Sequence, residues 1–562
     1  MPTLVLKDYQ EDRGADGVYD KRNTLNNLTG KQWLFSTKTV IPKDYPHHGN
    51  EKKRPNGFFP LPSGFCKEIV EIFSKPGETI LDPFAGFGST LIGTFLANSN
   101  TTAPKRECIG IESNDMFIKE YLARTRQIDG FKGSMIRDDP IPALSKIRLN
   151  SMGLVFADIP IRRIFSTLLP NSNNSIPNSN SQALKEAIEL WLSTVCPIIL
   201  TAAIKLKENR YIVLTIPGGE GSSFSSFNFA VSSLLAHNLQ TQGIPLKAER
   251  IWFIPDPEKE IDEFLPLARR ILVFRNERSL TGKTKRPPLF FNGLLPIGCT
   301  EIIHKAYPPS FNHKLRSQHG GMKPPELAYL LIEKFSRYPR GLILDPFAGV
   351  GGTLLGASLA GRRAIGIDIN RQWQEIYYQV AEKEGLLRQE FIVGDSRKKL
   401  PHAVPDDAVD LVFTDVPYWA MDKLEKTRGR FSRAGEKSKA KLHSSLKKFD
   451  QAQVISLEEW TGLLKEVFSL CYSKLASEGY CVVFIGNMYR TIIEERAGQA
   501  QKIGRYLLLS SILARILLEI GYQFEREIIW YSPDKSLHVF GYPYSYIPSI
   551  VHQSILVFKK GK

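Results

Sequence analysis

The strongest constraint on this chain is that it is written twice. LDPFAGFGST at 81–90 returns as LDPFAGVGGT at 344–353, and five further blocks recur around these turns in one order. GFCKEIVEIFSKPGETI and PELAYLLIEKFSRYPRGLI precede them, each an amphipathic helix, a Pro/Gly break and a short apolar strand. ECIGIES (107–113) and RAIGIDI (363–369) follow, each a strand ending in an acid. GLVFADIP (153–160) then matches DLVFTDVP (410–417), and LKEAIELWLS…NRYIVLTIPG matches LEEWTGLLKE…EGYCVVFIGN. ERIWFIPDPEKE…RRILVFRN and REIIWYSPDKSL…HQSILVFKK close the two copies. Six blocks in one order point to duplication, and a repeat missed is a fold misread. Strands alternate with helices through each copy, which predicts an α/β fold with a parallel sheet and helices on both faces.

At 562 residues the chain exceeds one ordinary core. The polar, Gly- and Pro-rich stretch RNERSLTGKTKRPPLFFNGLLPIG marks the join, so the expected domains are 1–280 and 299–562 with a linker at 281–298. NSNNSIPNSNSQ (171–182) reads as a loop inside the first copy. No apolar run reaches the roughly 18 residues a membrane helix needs, and the opening residues carry no leader-like apolar core. Six scattered cysteines without a CxxC pair predict a reducing compartment and no zinc site, and the histidines form no metal-ligand pattern. The expected location is the cytoplasm, at the nucleoid, with no membrane partner.

The net charge is +16, and half of it falls between Lys423 and Lys448, where ten Lys/Arg meet two Glu. A polyanion is the partner such a surplus suits. The stretch has few apolar residues and no helical period, so it reads as a loop carrying Lys426, Arg428, Arg430, Arg433, Lys437, Lys439 and Lys441 toward a phosphate backbone. A solvated linker is the competing reading.

The glycine turn lies between a strand and a helix, where backbone can approach a ligand at the carboxyl edge of a sheet. It lacks the lysine of a P-loop. Asp345 and Asp82, directly before the two turns, repel phosphate and suit a cation such as an α-amino group. Asp368 and Glu112, ending the next strands, suit ribose hydroxyls. A nucleoside with a cationic amino-acid tail satisfies both, and S-adenosyl-L-methionine is that molecule. On the turn alone, a dinucleotide-dependent oxidoreductase competes.

D-P-F-A-G-x-G-[GS]-T followed by a strand ending in Asp-x-Pro-aromatic resembles the amino-methyltransferases of DNA, which methylate N6 of adenine or N4 of cytosine. In the second copy the resemblance runs over roughly 300–562. It implies two tandem Rossmann-like, S-adenosylmethionine-dependent methyltransferase domains, the first degenerate. HGGMKPPELAYLLIEKF matches the cofactor-side helix, with Lys323 and Pro325. DPFAGVGGT matches the cofactor loop, with Asp345, Pro346, Phe347, Gly349, Gly351 and Thr353. Asp395, in VGDSRKK, stands where the family often presents an acid to the adenine ring. TDVPYW contains the catalytic tetrapeptide Asp415, Val416, Pro417 and Tyr418. The implied partners are double-stranded DNA and a cognate restriction endonuclease.

An exocyclic amine is a weak nucleophile because its lone pair is delocalised into the base. Acceptors on its two N–H groups, the Asp415 carboxylate and the Val416 carbonyl, favour a pyramidal nitrogen aimed at a methyl sulfonium. Tyr418 stacks on a base taken out of the helix. The family's D-P-P-Y is D-V-P-Y here, which loses one stiff residue. The first copy keeps Asp82, Phe84, Gly86, Gly88 and Glu112, a possible second cofactor site. Its altered strand at 157–161 reads ADIPI, with Ile161 where the aromatic belongs, so the second copy is expected to be the catalyst. Competing functions are an RNA guanine-N2 methyltransferase, for which a separate RNA-capturing module is missing, and an inactive nucleic-acid-binding scaffold.

Overall fold

The computed structural model describes residues 6–48, 60–99, 103–160, 182–217, 235–236, 238–256, 265–266, 268–278, 299–319, 321–337, 341–417, 419, 457–496 and 499–561. Tyr418 and the basic stretch from 423 to 448 lie outside the described residues, as do Ile161 and the expected linker. The chain forms two compact units. The first comprises Met1–Ile303, Met488–Leu508 and Pro533–His552, and the second comprises His304–Asn487, Leu509–Ser532 and Gln553–Lys562. The break near 304 follows the repeat, but two later stretches written in the second copy belong to the first unit.

In the first unit the strands are β1 (Val40–Pro42), β2 (Thr79–Asp82), β3 (Glu107–Glu112), β4 (Ser134–Arg137), β5 (Met152–Asp158), β6 (Leu206–Pro217), β7 (Leu246–Phe253) and β8 (Arg269–Arg275). They form one sheet in the order β1-β7-β8-β6-β5-β2-β3-β4. β2 runs parallel to β3 and β5, and β5 parallel to β6, while β8 is antiparallel to its neighbours β6 and β7. The period-2 geometry of strands explains the continuous apolar runs. Ile80, Leu154, Phe156 and Val213 face Phe65 and Phe73 of helix α1 (Ser63–Phe73). Leu81, Val155, Ala157 and Leu214 face the other way, onto Trp191 and Ile199 of the helix Gln182–Ala203.

The late segments are bound into this unit by buried polar contacts. Glu277 pairs with Lys247 at 2.6 Å and with Arg505 at 2.9 Å. Trp33 Nε1 donates to the Phe540 carbonyl at 3.0 Å, and Tyr546 Oη donates to the Ser36 carbonyl at 2.9 Å.

The second unit carries β9 (Leu342–Asp345), β10 (Arg363–Asp368), β11 (Glu390–Val393), β12 (Val409–Asp415), β13 (Leu475–Ile485), β14 (Gln523–Tyr531) and β15 (His552–Lys559). Their order is β14-β15-β13-β12-β9-β10-β11. β9 lies parallel between β10 and β12, and β15 is antiparallel to β13. The chain leaves β9 for β10 on one side and returns as β12 on the other, which opens a crevice at the carboxyl ends where the order reverses. Asp345, Asp368 and Asp415 are the last residues of β9, β10 and β12, so this topology alone brings three carboxylates to one edge. α2 (Pro325–Phe335) packs on α3 (Gly352–Leu359), the helix that leaves the glycine turn.

Candidate active site

The glycine turn of the second unit is built around Asp345. Its carboxylate is 3% exposed and accepts from the Phe347 N–H at 3.0 Å and the Thr414 hydroxyl at 2.6 Å. Burial pushes its pKa up to about 6, with Thr353, Thr414 and the Phe347 N–H opposing the shift. Gly351 caps α3 with φ of 75°, and a Cβ there would stand 2.4 Å from the Tyr377 ring. Only glycine fits, on backbone and on space. Ser396 Oγ bonds the carbonyl of Pro346, fixing the turn from below.

Asp368 accepts from the Gly349 N–H at 2.9 Å and the Asn370 N–H at 2.9 Å. Burial raises its pKa, and those backbone N–H groups oppose the rise. The acid expected at the ribose therefore also braces the turn, and an ionised carboxylate retains acceptor capacity beyond these two bonds.

Asp415 is half-buried at the tip of β12 and forms an ion pair with Lys323, from the residues leading into α2. Cofactor-side and catalytic candidates thus meet in one contact. Val416 is 1% exposed and its N–H donates to Phe484 at 3.4 Å, while the Pro417 carbonyl accepts from Trp460 Nε1 at 2.8 Å. Asp395 caps the helix Ser396–Ala403 through the Arg397 N–H at 3.0 Å and is forked by the Arg397 guanidinium at 2.7 Å, which holds its carboxyl below the ordinary range.

Two residues outside the expected set complete the wall. His319 lies over the turn, its Nε2 2.9 Å from where a Cβ on Gly349 would stand, edge-on to Trp373 at 5.0 Å. Burial, with Lys323 and Arg316 adding to it, lowers its pKa to about 4, so it is a neutral imidazole at neutral pH. Arg316, 1% exposed, donates to the Lys323 carbonyl. The histidine stands within HGGMKPP, but spacing alone gave no reason to place its ring over the turn.

The first unit repeats the turn nearly bond for bond. Asp82 accepts from the Phe84 N–H at 3.0 Å, and Glu112 accepts from the N–H groups of Gly86 at 3.0 Å and Asn114 at 2.8 Å. Gly88 has φ of 75°, as Gly351 does. The differences lie on the catalytic side. Pro62 and Pro324 are the matching N-caps, and the residue before Pro62 is buried Leu61 where the second unit has Lys323. Ala157 stands where the second unit has Thr414, and burial takes Asp82 to about 7. Asp158 is engaged by the Thr215 hydroxyl at 2.7 Å and by Arg269 at 3.3 Å.

Among the described residues no cluster of His, Cys, Asp and Glu could hold a metal ion, and no helix is long and apolar enough to cross a membrane. A family model described as DNA methylase matches residues 7–123, 153–379 and 409–562. A tRNA (guanine(10)-N2)-dimethyltransferase of Methanothermobacter thermautotrophicus is 27% identical over 176 residues, 31% of this chain and 43% of that protein. The DNA adenine methyltransferase YhdJ of Escherichia coli is 31% identical over 97 residues, 17% of this chain and 28% of that protein. The chain therefore spans less than half the length of these curated relatives. Among solved structures, TrmN from Thermus thermophilus aligns with a TM-score of 0.28 at 15% identity, over 56% of this chain and 60% of that one.

Proposed function

The chain belongs to the DNA methylase family, as two tandem copies with S-adenosyl-L-methionine as cofactor, and we propose that its second unit methylates the exocyclic amino group of adenine (N6) or cytosine (N4) in DNA. The observation that carries this is the carboxylate edge: Asp415 ends β12 one strand away from Asp345, with Lys323 joining the two sides. When bound, the cofactor would supply a methyl group activated on a sulfonium, with the target amine nitrogen as its acceptor. Asp345 would hold the cofactor's α-amino group and Asp368 its ribose. Asp415 accepts an N–H of the target amine and orients the lone pair. The proton lost after transfer leaves to Asp415 or to water. Orientation and preorganised charge supply the rate, with no covalent intermediate on the protein.

The first unit, by the same reasoning, is a non-catalytic partner. Leu61 stands where the second unit has Lys323, and the sequence has Ile161 where the second copy has Tyr418. DNA is the substrate the family match and the basic balance favour. A tRNA guanine-N2 substrate is the second reading, since two of the matched relatives are tRNA (guanine(10)-N2)-dimethyltransferases. Expression in a host, followed by sequencing that separates N6-methyladenine from N4-methylcytosine, tests the first. Methylated guanine in the host tRNA with unmodified DNA would select the second.

A further inference from the structure

A cavity opens in the second unit beside the Lys323–Asp415 pair, with Arg316, His313 and Lys323 among its walls and Trp530 and Tyr307 facing in. It adjoins the cofactor cleft: the cofactor-side candidate Lys323 lines it, while Asp345, Phe347, Gly349 and Asp368 do not. Its two rings meet edge to face, 6.3 Å between centroids. No carboxylate lines it.

Arg316 is the wall that calls for a ligand. Its side chain is 1% exposed, and its Nε has no hydrogen-bond partner. Burial pulls its pKa down to about 10, and the charge of Glu326 opposes that. Its Nη2 lies 3.7 Å from where a Cβ on Gly352 would stand, at the first residue of α3. A cation is thus buried at the positive end of a helix, where the macrodipole favours an anion. A guanidinium in such a place is offset by an oxyanion that its planar donors match. Rings beside a guanidinium are the pairing that holds an unstacked nucleotide.

We propose that this cavity seats a phosphodiester of the substrate strand next to the target nucleotide, its oxygens on Arg316 and its sugar or base against Trp530 and Tyr307. The proposal rests on the nucleic-acid reading of the active site. Lys323 spans the distance between this seat and Asp415, so occupancy of the seat fixes how far the neighbouring amine lies from the carboxylate.

The test uses the full chain, a fluorescent DNA duplex titrated across a salt series, and calorimetric titration of S-adenosylmethionine. Arg316→Met is expected to lower the slope of log affinity against log salt by about 0.9, one phosphate's worth. Trp530→Leu is expected to weaken duplex binding with the slope unchanged. A cofactor affinity that falls with an unchanged slope assigns the anion seat to the cofactor's carboxylate and overturns the proposal. Unchanged binding of both ligands makes Arg316 a structural residue, and overturns it too. Should Arg316→Met not fold, Arg316→Lys, which keeps the charge and loses the fork, must retain the slope while weakening the duplex; a wild-type-like affinity refutes the seat. A wild-type chain that binds duplex with no salt dependence overturns both this seat and the DNA reading, and only that outcome touches both.

Discussion

Thr414→Ala gives the second unit the arrangement that the first unit already has. The Thr414 hydroxyl at 2.6 Å helps hold Asp345 at about 6 against burial; in the first unit, with Ala157 in that position and Asp158 and Glu112 adding their charges, Asp82 stands at about 7. One pKa unit is about 1.4 kcal/mol, close to the worth of one hydrogen bond to a charged acceptor. The substitution should therefore raise Asp345 by about one unit. Only the ionised carboxylate receives an α-amino group, so affinity for S-adenosylmethionine follows its titration. With the carboxyl moved from about 6 to about 7, affinity should fall about fivefold at pH 6, about twofold at pH 7, and by roughly a tenth at pH 8. Calorimetric titration of wild type and variant at these three pH values measures it. An equal loss at every pH would mean that the substitution removed a direct bond to the cofactor and left the titration alone. No loss at pH 6 would remove Asp345 from the cofactor site. The stability of the free protein runs the other way. Both carboxyls sit above their unfolded value of 3.8, so the folded state holds more protons across that window. Stability should rise as pH falls from 7 toward 4 for as long as these two groups dominate.

Asp415→Ala should lower methyl transfer by about two orders of magnitude or more in single-turnover assays while cofactor affinity changes little, and Asp158→Ala should leave the rate nearly intact; the reverse pattern would make the first unit the catalyst. Gly351→Ala should destabilise the chain by more than the roughly 1–2 kcal/mol of a left-handed alanine, because its Cβ meets the Tyr377 ring at 2.4 Å; chemical denaturation reads the loss, and a wild-type midpoint refutes the close approach. Neutralising four basic residues between 423 and 448 should weaken random and specific duplexes alike and flatten the salt slope by about 0.9 for each phosphate no longer neutralised; an unchanged slope returns that stretch to a solvated linker.

Much of this was legible in the sequence because it is local. Apolar runs such as LVFTD, the glycine turns and the terminal acids follow from period and turn chemistry over a few residues. The carboxyl-edge cluster of Asp345, Asp368 and Asp415 follows once the strands are parallel. What stayed hidden depends on partners far along the chain. Lys323 and Asp415 are 92 residues apart, and no spacing rule joins them. Nearer by, the pattern shows the acid Asp395 but not that Arg397 folds back on it. Arg316 carries no motif at all. The membership of 488–508 and 533–552 in the first unit was invisible for the same reason: an apolar pattern says that a face is buried, and not by what.

Those late segments have a consequence for how the protein is made. Trp33 and Phe540 are 507 residues apart, and Thr39 bonds His552 across 513. Chains emerge from the ribosome at about 5–20 residues per second, so the first unit waits roughly 25–100 s after its opening residues appear before its last pieces exist. During that interval the surfaces destined for Trp33, Tyr211 and Phe73 have no Tyr546 or Phe540 to meet. The unit translated first is completed only when Pro533–His552 has been made, so a premature stop near the carboxyl end costs the fold at its beginning.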